Sequence, residues 1–307
     1  MKALRTFAWI TAAGLFLLVI FGFVVTYTGS GRGCGGTWPL CHGKLIPLSF
    51  TFHTVIEFAH RSLAGIVGIL VLILFIWAWR RAGRLPFVKV LASAGLLFVI
   101  VQAIIGGLDV LHPESASILA LHFGFSVISF AAVAILAMAL GQDTTSLERL
   151  PEGSPEAGTV RTLSVLMFIV IYGVAYLGAY VSHLGSGDAC LGWPLCNGAW
   201  LPSLTGDMGI VFFHRLTALV AFIIAIRLHM SLRPFRPVRR DLTQASHTLL
   251  GGIFLEMFSG AYLVWADFST FALLIHVTLM VIVFTAASYL FLHAVLGLRE
   301  TRRPKLG

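Results

Sequence analysis

Apolar positions in this chain gather into eight long runs separated by short polar segments: Leu4–Tyr27, Thr54–Trp79, Phe87–Val110, Ser117–Leu140, Val160–Val181, Met208–Met230, Thr243–Trp265 and Ser269–Leu296. Each reaches the ~20 residues that a helix needs to cross a bilayer. The spacing leaves no room for alternating ~10-residue barrel strands, so the backbone must satisfy its hydrogen bonds within helices. The pattern therefore predicts an all-α integral membrane protein with eight transmembrane helices. The first run follows Met1-Lys2-Ala3-Leu4-Arg5 and imitates a secretory signal. It is too long for a signal core, and Thr26-Tyr27-Thr28 is a poor cleavage site, so it reads as a retained helix.

Composition agrees. Of 307 residues, 58% are hydrophobic and 11% charged, where a soluble domain carries about 25% charged residues. So few charges cannot cover a water-facing surface of this size, and the solvent must be largely lipid. A net charge of +8 is compatible with nucleic acid, but its distribution argues against that partner. All but four of the 21 Lys and Arg residues fall on one side of the predicted spans; the exceptions are Arg32, Lys44, Arg61 and Arg215. The positive-inside rule then puts both termini in the cytoplasm, with anionic lipid headgroups as the partner of the basic side.

That topology places four cysteines outside: Cys34 and Cys41 between the first two helices, Cys190 and Cys196 between the fifth and sixth. Disulfides persist in that compartment. Two short structural disulfides would each contribute roughly 2–3 kcal/mol through loop closure. Thiol pairs exchanging with a membrane oxidoreductase are the alternative. Zinc at Cys41-His42 is poorly supported, because no CxxC pair exists.

The chain also repeats itself. Gly29-Ser30-Gly31 recurs as Gly185-Ser186-Gly187, Trp38-Pro39-Leu40-Cys41 as Trp193-Pro194-Leu195-Cys196, and His60-Arg61 as His214-Arg215. Leu121-His122 matches Ile275-His276, and Gln102 with Gly106 matches Glu256 with Gly260, all at offsets of 154 to 156. The expected architecture is two tandem pseudo-symmetric four-helix bundles, residues 1–140 and 161–307, in one orientation. The polar stretch Gly141–Gly158 supplies the cytoplasmic linker within 141–160.

The repeat sorts eleven histidines. His60, His122, His214 and His276 keep counterparts; His42, His53, His112, His183, His229, His247 and His293 do not, and are assigned non-ligand roles. His60 lies six residues beyond Thr54 and His122 five beyond Ser117, so both rings sit at nearly equal depth. Alternate helices of an up-down bundle face one another through its core. Helices two and four can thus offer imidazoles to both faces of a heme, and helices six and eight repeat the arrangement. Arg61 and Arg215, beside two of these histidines, are candidates to pair with heme propionates. Ala64, Gly65, Gly68 and Gly124 are small enough to admit a porphyrin edge, and equally suit close helix packing.

The halves differ chemically. Glu57 lies one turn before His60, whereas Val211 occupies the matching place before His214. A carboxyl retained at that depth points to chemistry in the first half, the alternative being a carboxylate that pairs with Arg61 or caps a loop amide. Glu256, matching Gln102, is a second buried carboxyl whose role stays open.

Together, Thr28-Gly29-Ser30-Gly31, Cys34, Trp38-Pro39-Leu40-Cys41-His42-Gly43, Glu57-x-x-His60-Arg61 and Leu121-His122-Phe123 closely resemble the bacterial heme A synthase family, and the second-half motifs add to the likeness. The resemblance implies an oxidoreductase of the bacterial cytoplasmic membrane that converts heme O to heme A, the heme of cytochrome c oxidases. It does so by oxidising the C8 methyl to a formyl group; oxygen insertion and electron removal followed by water capture are both open routes, with water the expected oxygen source. By matching position, His60 and His122 would bracket the substrate heme, with Glu57 as the catalytic carboxylate. His214 and His276 would ligate a permanent heme b. The pairs Cys34/Cys41 and Cys190/Cys196 would be disulfides. Heme O synthase and a quinone electron acceptor are the expected partners. A diheme b-type electron-transfer protein and a heme-delivery protein without chemistry share the histidine pattern and are the rival readings.

Overall fold

A computed structural model describes residues 1–82, 86–112, 115–141 and 155–295. Within them lie eight α-helices long and apolar enough to cross a membrane: α1 (Lys2–Tyr27), α2 (Phe52–Ala82), α3 (Pro86–Leu111), α4 (Ala116–Ala139), α5 (Pro155–Leu184), α6 (Gly206–Leu232), α7 (Arg240–Trp265) and α8 (Thr270–Val295). The chain is an all-α, multi-pass membrane protein. Several helices outrun their apolar segments by about a turn. Backbone hydrogen bonding continues into the basic flanks, where Arg80 and Arg81 meet the negative end of the α2 dipole. Helix α5 starts at Pro155, so residues 155–160 of the expected linker are helical; residues 142–154 lie outside the described residues. Arg84, Arg149, Arg299, Arg302, Arg303 and Lys305, part of the charge argument, lie outside them too.

In the first four helices, α1 packs on α2 and α4, and α3 packs on the same two. In the last four, α5 packs on α6 and α8, and α7 on the same two. This puts α2 across from α4, and α6 across from α8. The two sets meet through α4 with α5 and α8, and through α1 with α8. Accordingly α4 is buried continuously from Ala131 to Ala137, and α8 from Ala286 to Leu290. Helices packed on several sides read as apolar all round, and their small residues let neighbouring backbones approach. At the end away from the cysteine loops, Arg239 pairs with Asp241 at 2.8 Å. The Tyr289 hydroxyl donates to the same carboxylate at 3.0 Å, tying α7 to α8.

Candidate heme-binding sites

The four repeated histidines occupy equivalent places. His60 follows the start of α2 at Phe52 by eight residues, as His214 follows the start of α6 at Gly206. His122 follows the start of α4 at Ala116 by six, as His276 follows the start of α8 at Thr270. At ~1.5 Å per residue the members of each pair lie within about 3 Å of the same depth below the loop end. His60 and His122 are within electrostatic reach of one another, as are His214 and His276. All four side chains are half-buried.

Each imidazole rests against a glycine of the preceding helix. A methyl group at Gly178 would lie 2.9 Å from His214 Cε1, and one at Gly106 would lie 3.0 Å from His122 Cε1. At Gly260 the distance to His276 Cε1 would be 3.4 Å, and at Gly22 it would be 3.5 Å to His60 Nε2. Gly22 and Gly178 are related by the same repeat offset as the Gly-Ser-Gly motifs. His122 faces the backbone carbonyl of Gln102, four residues before its glycine, and His214 that of Val174, again four before. Yet Nδ1 of both lacks a hydrogen-bond partner among the described residues. Buried polar atoms normally have one. Paired imidazoles at one depth and backbone cleared around each ring together fit a flat iron macrocycle held from both faces.

Cβ spacing grades the outcome of adding a methyl. Gly178→Ala and Gly106→Ala are expected to push their imidazoles aside and weaken heme retention on purification by roughly tenfold. Gly260→Ala and Gly22→Ala need only small adjustments and should stay near wild type. Heme content and the optical spectrum of each purified variant check this; equal losses at all four positions would contradict the cradle geometry.

Both oxygens of the buried Glu57 are engaged. Oε1 pairs with Arg61, and Oε2 accepts the backbone N–H of Cys34 at 2.6 Å. Arg61 also donates to the carbonyls of Thr37 at 2.6 Å and Leu40 at 3.0 Å. Arg215 does the same in the second half, donating to Gly192 (2.9 Å), Leu195 (3.2 Å) and Cys190 (2.7 Å). A backbone carbonyl there takes the place of the carboxylate, and Val211 packs on the two cysteines. Both guanidiniums thus clamp the long loops onto the histidine-bearing helices, a use distinct from the propionate pairing expected of them. Apart from the Glu57 carboxylate, the acceptors are main-chain oxygens, which leave no mark in the sequence.

The loops are built alike. Cys34–Cys41 and Cys190–Cys196 are disulfide-bonded. After each comes a two-residue hairpin turn, closed by paired backbone bonds between Cys41 and Lys44 and between Cys196 and Ala199. Its central residues, His42-Gly43 and Asn197-Gly198, all have positive φ, as a turn of this hand requires. His42 therefore serves the turn, and its Nε2 meets the Gly33 carbonyl at 3.0 Å. His53 bonds Ser30 at 3.0 Å, and His229 bonds Ser246 at 3.0 Å with its ring tilted against that of His247. No cluster of three or more His, Cys, Asp or Glu suited to a bare metal ion occurs among the described residues.

The small residues near the histidines divide. A methyl at Gly124 would strike Tyr172 of α5, so this glycine serves helix packing. Gly65 faces open space. Glu256, whose neighbours the sequence leaves unknown, lies 3.3 Å from His276 Nδ1. Ser259 Oγ lies 2.8 Å from the same nitrogen.

A family model described as cytochrome oxidase assembly protein, COX15-CtaA, matches residues 5–288. A protein named heme A synthase from Alkalihalophilus pseudofirmus is 37% identical over 296 residues, covering 94% of this chain and 96% of its own. One of the same name from Halalkalibacterium halodurans is 35% identical over 295 residues, with the same coverages. Another, from Geobacillus kaustophilus, is 34% identical over 308 residues, covering 99% of this chain and 94% of its own. With the family model spanning residues 5–288 and relatives more than 30% identical over nearly their whole length, the chain belongs to the COX15-CtaA family of cytochrome oxidase assembly proteins.

Proposed function

We propose that the protein acts as a heme A synthase, oxidising the C8 methyl of heme O to a formyl group. In this reading residues 1–140 form the substrate half, with His60 and His122 on the two faces of heme O. Residues 161–307 form the second half, with His214 and His276 holding heme b. The cysteine loops face outward and both termini the cytoplasm, in keeping with the charge bias. The observation that carries the reading is the asymmetry within a repeat: two matched histidine pairs, with a buried carboxylate at Glu57 and a valine at Val211.

Converting a methyl to a formyl with water as oxygen source releases four electrons and four protons. The resident heme supplies one-electron exchange when bound, and a membrane quinone is the class of acceptor that takes the electrons onward. The histidines fix the substrate's depth and tilt. Glu57 is itself fixed, by Arg61 and the Cys34 amide, yet a carboxylate has about four lone-pair sites. Two are occupied, and the others can accept the proton of an incoming water or face positive charge developing at the methyl carbon. The loop above the site, stapled by its disulfide and by Arg61, limits the entry of bulk water.

Expression of the chain beside a heme O synthase, followed by extraction and mass measurement of the pigments, tests the proposal. A formyl-bearing product is expected. Two chemically unchanged hemes would instead support a diheme electron-transfer protein, and release of unaltered heme O a delivery protein.

A further inference from the structure

The two histidine pairs differ in what stands behind them. In the second half, Ser259 Oγ lies 2.8 Å from His276 Nδ1 and 3.2 Å from Glu256 Oε2, while Glu256 Oε1 lies 3.3 Å from the same Nδ1. Glu256 and Ser259 are one turn apart on α7 and both are buried. In the first half the repeat puts Gln102 in place of Glu256 and Ile105 in place of Ser259. The Gln102 side-chain amide oxygen accepts from Ser126 of α4, and His122 Nδ1 has no side-chain hydrogen-bond partner among the described residues. At the position of Ser126 the second half has Met280. Each half has a buried polar group behind its ligand, but only the second directs it at the imidazole.

We infer that Glu256 and Ser259 form a carboxylate–hydroxyl relay that makes His276 an electron-rich, firmly oriented ligand, and that its absence behind His122 leaves the first-half heme free to exchange. This rests on the reading that His214 and His276 hold the resident heme. The direction of the relay follows from ligation. An imidazole bound to iron through Nε2 carries its proton on Nδ1 and must donate. The Ser259 hydroxyl then accepts from Nδ1 and donates its own proton to Glu256. Hydrogen bonding of a ligating imidazole to a carboxylate fixes the ring and raises its basicity, and removing such a partner costs about 10–100-fold in affinity for the metal. A more basic imidazole favours ferric over ferrous iron, so the relay also sets a lower potential in the second half. An enzyme with one permanent and one exchanging heme needs this difference, since four identical histidines alone would hold both equally.

The test is potentiometric titration of the resident heme in the full-length purified protein. Glu256→Gln is expected to retain that heme with about a tenfold smaller ferric preference, a rise of 59 mV for a one-electron couple. Ser259→Ala should shift the potential in the same direction, and it keeps the proposal testable if Glu256→Gln does not fold. Unchanged potentials in both variants overturn the relay. In the first half, Gln102→Glu with Ile105→Ser should slow release of the substrate heme about tenfold; unaltered release overturns the account of exchange. His276→Ala separates the two levels of argument. A resident heme retained with an unaltered spectrum would defeat the ligand assignment itself. Loss of heme there, with untouched potentials in the Glu256 and Ser259 variants, defeats the relay alone.

Discussion

His214→Ala is expected to yield a folded protein that has lost its resident heme, by more than the ~10–100-fold that removing a partner behind a ligand costs. His60→Ala should keep that heme and lose turnover of heme O. The structure makes this pair of results unusually clean. His214 Nδ1 has no side-chain hydrogen-bond partner among the described residues, so deleting the imidazole takes no Nδ1 hydrogen bond from a neighbouring side chain. A histidine kept for structure would behave differently: deleting one hydrogen-bonded to a buried neighbour leaves that neighbour unsatisfied, at about 1–3 kcal/mol. The measurements are pyridine hemochrome spectra, mass of extracted heme, and thermal unfolding of each variant stripped of heme. A His214→Ala protein with its full complement of low-spin heme would refute the assignment of this residue.

Glu57→Gln should lower heme A formation by about 10²–10⁴-fold and accumulate heme O, with both hemes still bound. The range is that of a lost general base or of one lost electrostatic contact in the transition state. Because Glu57 also anchors the loop, the choice of substitution matters. The glutamine carbonyl can still accept the Cys34 N–H, and Arg61 keeps its bonds to Thr37 and Leu40. Only the charge is removed. Glu57→Ala would empty the pocket and leave Arg61 short of its counterion, with a cost of about 3–5 kcal/mol if that charge stays buried; loop disorder would then confound the result. Normal heme A production in the glutamine variant would remove Glu57 from the chemistry. A parallel loss of substrate occupancy would reduce it to an anchor.

Much of this was legible in the chain. Eight spans follow from hydropathy because lipid gives no alternative to helices, and their ends were misjudged by about a turn because helices continue beyond the hydrocarbon. The repeat picked His60, His122, His214 and His276 from eleven histidines by position alone. Gly106 and Gly260 surfaced with it, whereas Gly22 and Gly178 did not, since nothing distinguishes a cradle from the other glycines until the facing helix is known. The Asn197-Gly198 dipeptide is itself a readable signal for its hairpin turn. The Glu57–Arg61 pair is legible as an i,i+4 spacing, whereas the main-chain carbonyls that Arg61 and Arg215 hold carry no signal. Glu256 was noticed as an anomaly, but its aim at His276 depends on how α7 is rotated against α8, which periodicity leaves undetermined when a helix is apolar on most sides.

The cradles also dictate where the two halves can differ in length. Gly22 and Gly178 are 156 residues apart, yet His60 and His214, and everything matched after them through His276, are 154 apart. One missing residue falls between the paired cysteines and the other between the hairpin turn and the start of the histidine-bearing helix. One residue added within α2 ahead of His60 would turn the ring about 100° around the axis and move it ~1.5 Å along, carrying it off its glycine and out of line with its partner. Length can drift in the loops without penalty, while the registers of the ligand-bearing helices are locked to single-residue accuracy.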